Sequence, residues 1–344
     1  MPNLATVLVF AIACPVGVES DEGEKPDAPG QSDTDSGADE DSAAETDTDT
    51  DTDSDTDTDS DTDVDTDTDS DTDADTEFEQ WITTTEPTIG DDSCVGDAWP
   101  SPDGSCQGDA TVSAQIRDFQ TDDSVPDATW AVWFGTTPSG TADVEATADG
   151  NGECELVAPT CTPLVWATTT PKEWEETIPM YRMSGVIPWE SNGETEIDVH
   201  SLSVATAKII PAVIGINWDD TNTGMAVGTA FDCSLAYVGG AQIFIHDGTG
   251  NAPHDAEVFY FDDLDLPTTR ARQPELNPRN GIWIAVNVAP GDWVAELWGW
   301  DGGSYELLAS SPLFVEAGAA THANLSVGHD DGLVYPDSCL ATCN

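Results

Sequence analysis

Basic residues are almost missing from this chain. Eight Lys and Arg stand against 68 Asp and Glu, a formal charge of -60 over 344 residues. Residues 1–80 hold 28 of the acids and only Lys25 among the bases, so the remaining 264 residues still carry a net charge of -33. Nucleic-acid affinity comes largely from Lys and Arg on phosphates, so this shortage excludes a nucleic-acid partner. It also excludes direct adhesion to anionic lipid. The charge favours solubility and loosely held divalent cations.

Aromatic residues are missing from the first 80 positions except for Phe10 and Phe78, and all 12 Trp lie at or after Trp81. A polar, charged segment without them cannot bury enough apolar surface to offset the entropy of ordering. The roughly 230 residues that follow position 107 can do so. Their length suits one large β domain or two of ordinary size.

Hydrophobic length is also short at the N-terminus. Leu4 to Ala13 is a ten-residue apolar run, too short to cross a bilayer and suited to an export signal. Ala11 and Ala13 form an A-x-A pattern for ordinary signal cleavage, whereas "AIAC" with Cys14 resembles the lipobox of bacterial lipoproteins. That resemblance implies diacylglycerol on the Cys14 thiol and cleavage just before it, although Ala11 stands where the family usually has Leu. A long polar segment directly after Cys14 makes most sense if something is anchored.

From Thr46 to Thr76 an Asp occupies every odd position. Period-2 alternation makes a strand only when one face is apolar. Here a strand would stack fifteen carboxylates on one face, each about 7 Å from the next. Repulsion instead favours an extended, hydrated spacer. The roughly 75 residues from Pro15 to Ile89 would reach on the order of 250 Å at full extension. The repeat also lacks Gly, which an EF-hand-type loop needs at its sixth place. Weak, diffuse Ca2+ binding is therefore expected and a defined site is not.

Beyond Cys106, short runs rich in Val, Ile, Thr and Trp alternate with Gly, Pro, Asn and Asp, as in "ATWAVWF", "AQIFIHD" and "GIWIAVNVA". No stretch carries a convincing 3.6-residue period. Turn signals about every ten residues argue an all-β sandwich. Two passages repeat: "VPDATWAVWF" (125–134) aligns with "VGGAQIFIHD" (238–247), and the Asn-Gly at 151 aligns with the Asn-Gly at 280. Gly240-Ala241, Asn280-Gly281-Ile282-Trp283-Ile284 and Ala289-Pro290-Gly291-Asp292-Trp293-Val294 resemble the carboxypeptidase regulatory-like domain, a transthyretin-like β-sandwich. The first half matches less closely, with Asp127 in place of the usual Gly. The resemblance implies strand and turn geometry and assigns no activity. The whole layout resembles surface lipoproteins of myxobacteria-like bacteria.

The expected fold is all-β: two tandem antiparallel sandwiches (Ig/transthyretin-like) after a long disordered acidic stalk. The signal segment with lipobox is placed at 1–14, the Asp/Thr linker at 15–90 and a Cys-containing connector at 91–106. The sandwiches follow at 107–208 and 209–335, with a boundary near 205–215 and a Cys-containing tail at 336–344.

Catalytic and metal signatures are missing as well. There is no C-x-x-C, H-E-x-x-H, G-x-S-x-G, P-loop or Rossmann pattern. Apart from Cys14, seven cysteines remain: Cys94, Cys106, Cys154, Cys161, Cys233, Cys339 and Cys343. In an exported chain they favour disulfides over zinc. Cys154–Cys161 and Cys94–Cys106 are the expected pairs, which leaves an odd thiol among the rest. His200, His246, His254, His322 and His329 read as strand-end or loop residues more readily than as the metal ligands of a hydrolase. Trp298 and Trp300 share one face of "DWVAELWGW" and would stack on sugar rings if exposed, or fill the core if not. The expectation is a non-catalytic protein without cofactor, exported to the outer membrane or cell surface, or secreted if Cys14 is unmodified. Its partner would be a surface or extracellular ligand, glycan or protein, with membrane contact only through the N-terminal lipid.

Overall fold

The computed structural model describes residues 81–84, 86–97, 100–170 and 177–340. The signal segment, Cys14, the Asp/Thr repeat and Cys343 lie outside the described residues. The first half supplies β1 (Asp109–Asp118), β2 (Thr129–Phe134), β3 (Val144–Thr147), β4 (Glu153–Pro159), β5 (Pro163–Thr169), β6 (Thr177–Ile178), β7 (Met180–Val186) and β8 (Glu194–Ser203). Helix α1 (Val204–Val213) leads to β9 (Gly224–Phe231), β10 (Gln242–His246), β11 (Glu257–Phe261), β12 (Pro267–Thr268) and β13 (Ile282–Val288). The last elements are β14 (Gly291–Trp300), β15 (Tyr305–Val315), β16 (Ala320–His322), β17 (Leu325–Ser326) and α2 (Asp337–Leu340).

The chain is all-β with sandwich-like packing, in three layers. A long central sheet runs β12-β11-β13-β9-β16-β7-β5-β2-β3, with β17 attached to β9. The three-stranded sheet β10-β14-β15 covers one face. The sheet β4-β1-β8-β6 and helix α1 cover the other. Strand alternation assigns the faces. On β5, Leu164 packs toward β1 and β4, whereas Val165 joins the core under β14 and β15. Strand β1 alternates buried and open along its length because only one of its faces is covered. The five-residue apolar run Ile282 to Val286 in β13 follows from burial on both faces. Fully buried Trp130, Trp283, Tyr260 and Phe261 are the largest core fillers, each stabilising by roughly 2–3 kcal/mol on area grounds.

The two halves share the central sheet instead of standing as separate tandem domains. β16 sits between β7 of the first half and β9 of the second, parallel to both, with Ala320 opposite Met180 and Met225. β1 and β8 also pair in parallel, so the sheets are mixed and not purely antiparallel. The expected boundary falls inside α1, which the sequence did not announce. Its N-cap is Ser203, whose Oγ accepts from Thr206 N–H at 3.2 Å. Val204, Thr206, Ile209 and Ile210 are β-branched, which hid the helix.

Several acidic residues close turns. The Oδ1 of Asp149 accepts from the backbone N–H groups of Asn151 and Glu153, that of Asp247 from Thr249 and Asn251, and that of Asp262 from Leu264 and Leu266. A side-chain acceptor two residues back mimics a backbone turn, which is why Asp serves there. "ADGNGE" (148–153) is one such turn, and it carries the chain from β3 in the central sheet to β4 in the outer sheet.

The folded part begins before the expected connector. Trp81, Ile82 and Thr84 are buried, and Ile89 forms a bridge with Gly239. The linker assignment of 15–90 therefore ends too late by about ten residues. The reason is Trp81 itself, the first Trp of the chain.

Candidate ligand-facing surface

The outer face of the β10-β14-β15 sheet gathers the residues with recognition chemistry. On β14, Glu296, Trp298 and Trp300 alternate outward, all half-buried. Across the pair with β15, Trp298 lies opposite Leu307 and Trp300 opposite Tyr305. Leu307 is 37% exposed. The Trp300 and Tyr305 rings meet edge-on with centroids 4.9 Å apart. Neither Trp is wholly exposed or wholly buried: Trp298 packs against the core and each keeps some open surface. Trp130 is fully buried, and Trp133, on the opposite face of β2, lies 6.1 Å from the Tyr181 ring.

Glu296 is held between two donors. Trp298 Nε1 donates to its Oε2 at 2.8 Å. His246 Nε2 lies 3.1 Å from its Oε1, but off the N–H direction, so the contact is electrostatic more than a directed hydrogen bond. Gly248 N–H donates to His246 Nδ1 at 3.0 Å, which leaves the ring proton on Nε2. Burial alone would raise the Glu296 pKa. The contact with His246 and the hydrogen bond from Trp298 outweigh it and hold the carboxyl below its ordinary value. The His246 ring stacks on Phe244 with centroids 5.1 Å apart, and Trp81 meets Phe244 at 5.8 Å. Sequence reading found Trp298 and Trp300 and placed His246 at a strand end, where β10 does finish, but missed Glu296 and Tyr305, because cross-strand register decides which residues adjoin them.

The cysteines pair differently from expectation. Cys94 bonds to Cys233 and Cys161 to Cys339, spanning 139 and 178 residues. Cys106 is also disulfide-bonded. Cys154 is a free thiol. Its expected pairing with Cys161 fails because β4 runs extended between them, which separates them by roughly 20 Å, far beyond disulfide reach. Cys94–Cys106 fails because residues 91–94 dock on the 232–233 corner, where Cys233 N–H donates to Asp91 O at 2.9 Å. Burial first, then Asp149, pushes the Cys154 thiol up to about 11. It borders an open cavity of about 590 Å³ lined by Gln115, Thr147, Glu153, Glu155 and Glu196.

The histidines are dispersed. His254 is exposed beside Asp255, His322 is buried against Arg182, and His200 meets Phe119 edge-on. Among the described residues no three His, Cys, Asp or Glu converge as metal ligands. Among the described residues, too, no helix is long and apolar enough to cross a membrane.

No protein-family model matches this sequence, and no curated protein matches it. Among solved structures, the Bacillus anthracis TIE protein is 11% identical over 64% of this chain, with a TM-score of 0.20. The chain spans about a third of that protein, 34% of its length. The shaft pilin SpaA from Lactobacillus rhamnosus GG is 9% identical over 66% of this chain and 100% of its own, with a TM-score of 0.21. GBS52, the minor pilin of Streptococcus agalactiae, is 11% identical over 63% of this chain and 96% of its own, with a TM-score of 0.20. At TM-scores this low no feature of those proteins transfers, and the fold class rests on the sheets described above.

Proposed function

We propose that this chain is a non-catalytic, exported cell-surface protein that presents its β layers for adhesion, scaffolding or ligand capture. In this reading diacylglycerol on Cys14 holds it to the membrane, and the Asp/Thr segment sets the folded part away from the cell. The observation that carries the reading is the pair of long-range disulfides, Cys94–Cys233 and Cys161–Cys339. Such bonds form and persist in oxidising compartments outside the cytoplasm. The test is cell fractionation with intact-mass analysis of the mature N-terminus. Diacylglycerol on Cys14 supports the anchor, and an unmodified, freely secreted chain overturns it. A reduced protein in the cytosolic fraction overturns export altogether.

The second reading is a carbohydrate ligand. It is favoured by the half-open run of Trp298, Leu307, Trp300 and Tyr305 beside the Glu296 carboxylate. Aromatic faces suit the apolar sides of sugar rings and a carboxylate accepts from hydroxyls. Glycan-array binding that disappears with Trp300→Ala would establish it. Binding that survives both Trp298→Ala and Trp300→Ala would remove it.

A further inference from the structure

Residues 81–84 and 86–94 lie across the second half of the molecule as a strap. The backbone N–H groups of Thr83 and Thr84 both donate to Gln242 Oε1, at 2.7 and 3.0 Å. Gln242 is fully buried and its own Nε2 donates to Pro274 O at 2.7 Å. Arg270 Nη2 donates to Trp81 O at 2.6 Å, and Thr84 Oγ1 to Glu275 Oε2 at 2.5 Å. Further along, Thr88 N–H donates to Trp300 O at 3.1 Å, and Thr88 Oγ1 accepts from Trp300 N–H at 2.9 Å.

Two glycines make room for this strap. A Cβ on Gly299 would stand 2.4 Å from Thr88 Oγ1, and one on Gly240 would stand 2.8 Å from Pro87 O. After the strap comes the covalent bond, Cys94 to Cys233, nine residues before β10 begins.

The order of these features along the chain sets what tension does. A pull arriving from the N-terminal side meets the non-covalent strap first and the disulfide second. Once it reaches Cys94, load passes through Cys233 toward β10 and β14. Residues 95–232, which hold β1 to β8, α1 and β9, lie within the bonded loop and are bypassed.

We propose that residues 81–84 and 86–94 form a mechanical clasp. The strap 81–93 yields under tension, and Cys94–Cys233 arrests the opening and delivers the force to the sheet that carries Trp298 and Trp300. The clasp serves the cell only if the chain is tethered as proposed above, but the force measurement below does not assume tethering.

The experiment is single-molecule force spectroscopy on the full chain, with one handle at its start and the other inserted between Gly302 and Gly303. Thirteen strap residues at about 3.3–3.6 Å each give a first release of roughly 40 Å, followed by arrest. In a Cys94→Ser/Cys233→Ser double variant the first release roughly doubles, running on to the next fixed point at Gly104–Cys106. Wild-type protein reduced while held folded at low tension also loses the bonds of Cys106 and Cys161–Cys339, so its first release lengthens at least as much, which covers the case in which the double variant does not fold. Gln242→Ala lowers the force of the first release and leaves its length unchanged. Equal first-release lengths with and without the disulfide would overturn the proposal. So would a release force indifferent to Gln242, or global unfolding with no early step.

Discussion

The ring of His322 lies against the guanidinium of Arg182, with Nε2 2.9 Å from Nη1, between two strands 140 residues apart in sequence. Burial first, then Arg182, holds the His322 pKa well below its ordinary value, and Asn324 opposes only in part. His200 is lowered as well, chiefly by burial and further by Arg182 and Arg117, against Asp198 and Asp122. A histidine lowered on folding supplies stability above its unfolded pKa and loses it as pH falls toward the folded one. The protein therefore loses stability on acidification from about pH 6.5 downward. His322→Gln flattens this limb in urea melts at pH 7.5, 6.0 and 5.0, and an unchanged slope would contradict the assignment.

A second acid limb lies lower. Backbone N–H groups of Asn151 and Glu153 hold Asp149 down, the Thr249 hydroxyl and Asn251 do so for Asp247, and Ser304 and Gly303 for Asp301. These carboxylates stabilise the fold above their unfolded pKa, near 3.8, and lose that effect as pH falls through the lower folded values. Melts between pH 4 and pH 2 should show a further loss, and Asp247→Asn should reduce it while keeping the turn acceptor.

Asp232 anchors the corner next to Cys233. It accepts from the N–H groups of Asp91, Ser234 and Ala236 and is 5% exposed. Asp232→Ala strands those donors and costs roughly 3 kcal/mol by urea unfolding. Asp232→Asn, which keeps an acceptor oxygen, costs less than half as much.

Cys154 should be a slow thiol. With its pKa near 11, its thiolate fraction at pH 8 is on the order of a hundred times smaller than that of an ordinary cysteine. Kinetics with a disulfide reagent on the folded protein should show this lag, and urea should abolish it. Rapid labelling of Cys154 in the native state would place it in a different environment.

Gly299→Ala should lift the strap, since the added methyl group meets Thr88 Oγ1 and Leu308. Limited proteolysis within residues 81–93 should accelerate several-fold, whereas Gly303→Ala, in the open β14–β15 turn, should change nothing.

Strand content was readable in the sequence because alternation on β1 and the two-sided burial of β13 leave different residue patterns. Asn-Gly turns and the Trp298/Trp300 pair were readable for the same local reason. What escaped was non-local. The Cys94–Cys233 bond depends on where residues 91–94 dock, and the Glu296–His246 contact depends on the register of β10 against β14. Trp81 looked like the end of a spacer because nothing nearby shows that Phe244 awaits it.

Strand β16 has a consequence for how the molecule is made. β7 and β9 have no common neighbour until Ala320–His322 arrives between them. Closing that gap joins residues 140 positions apart, a slow, high-contact-order step. An amino-terminal half made without β16 would leave the β7 edge unpaired, the kind of edge that pairs with other chains. A gene fragment cut at the apparent boundary near residue 208 should give insoluble protein, and the two halves should recover solubility only when produced together.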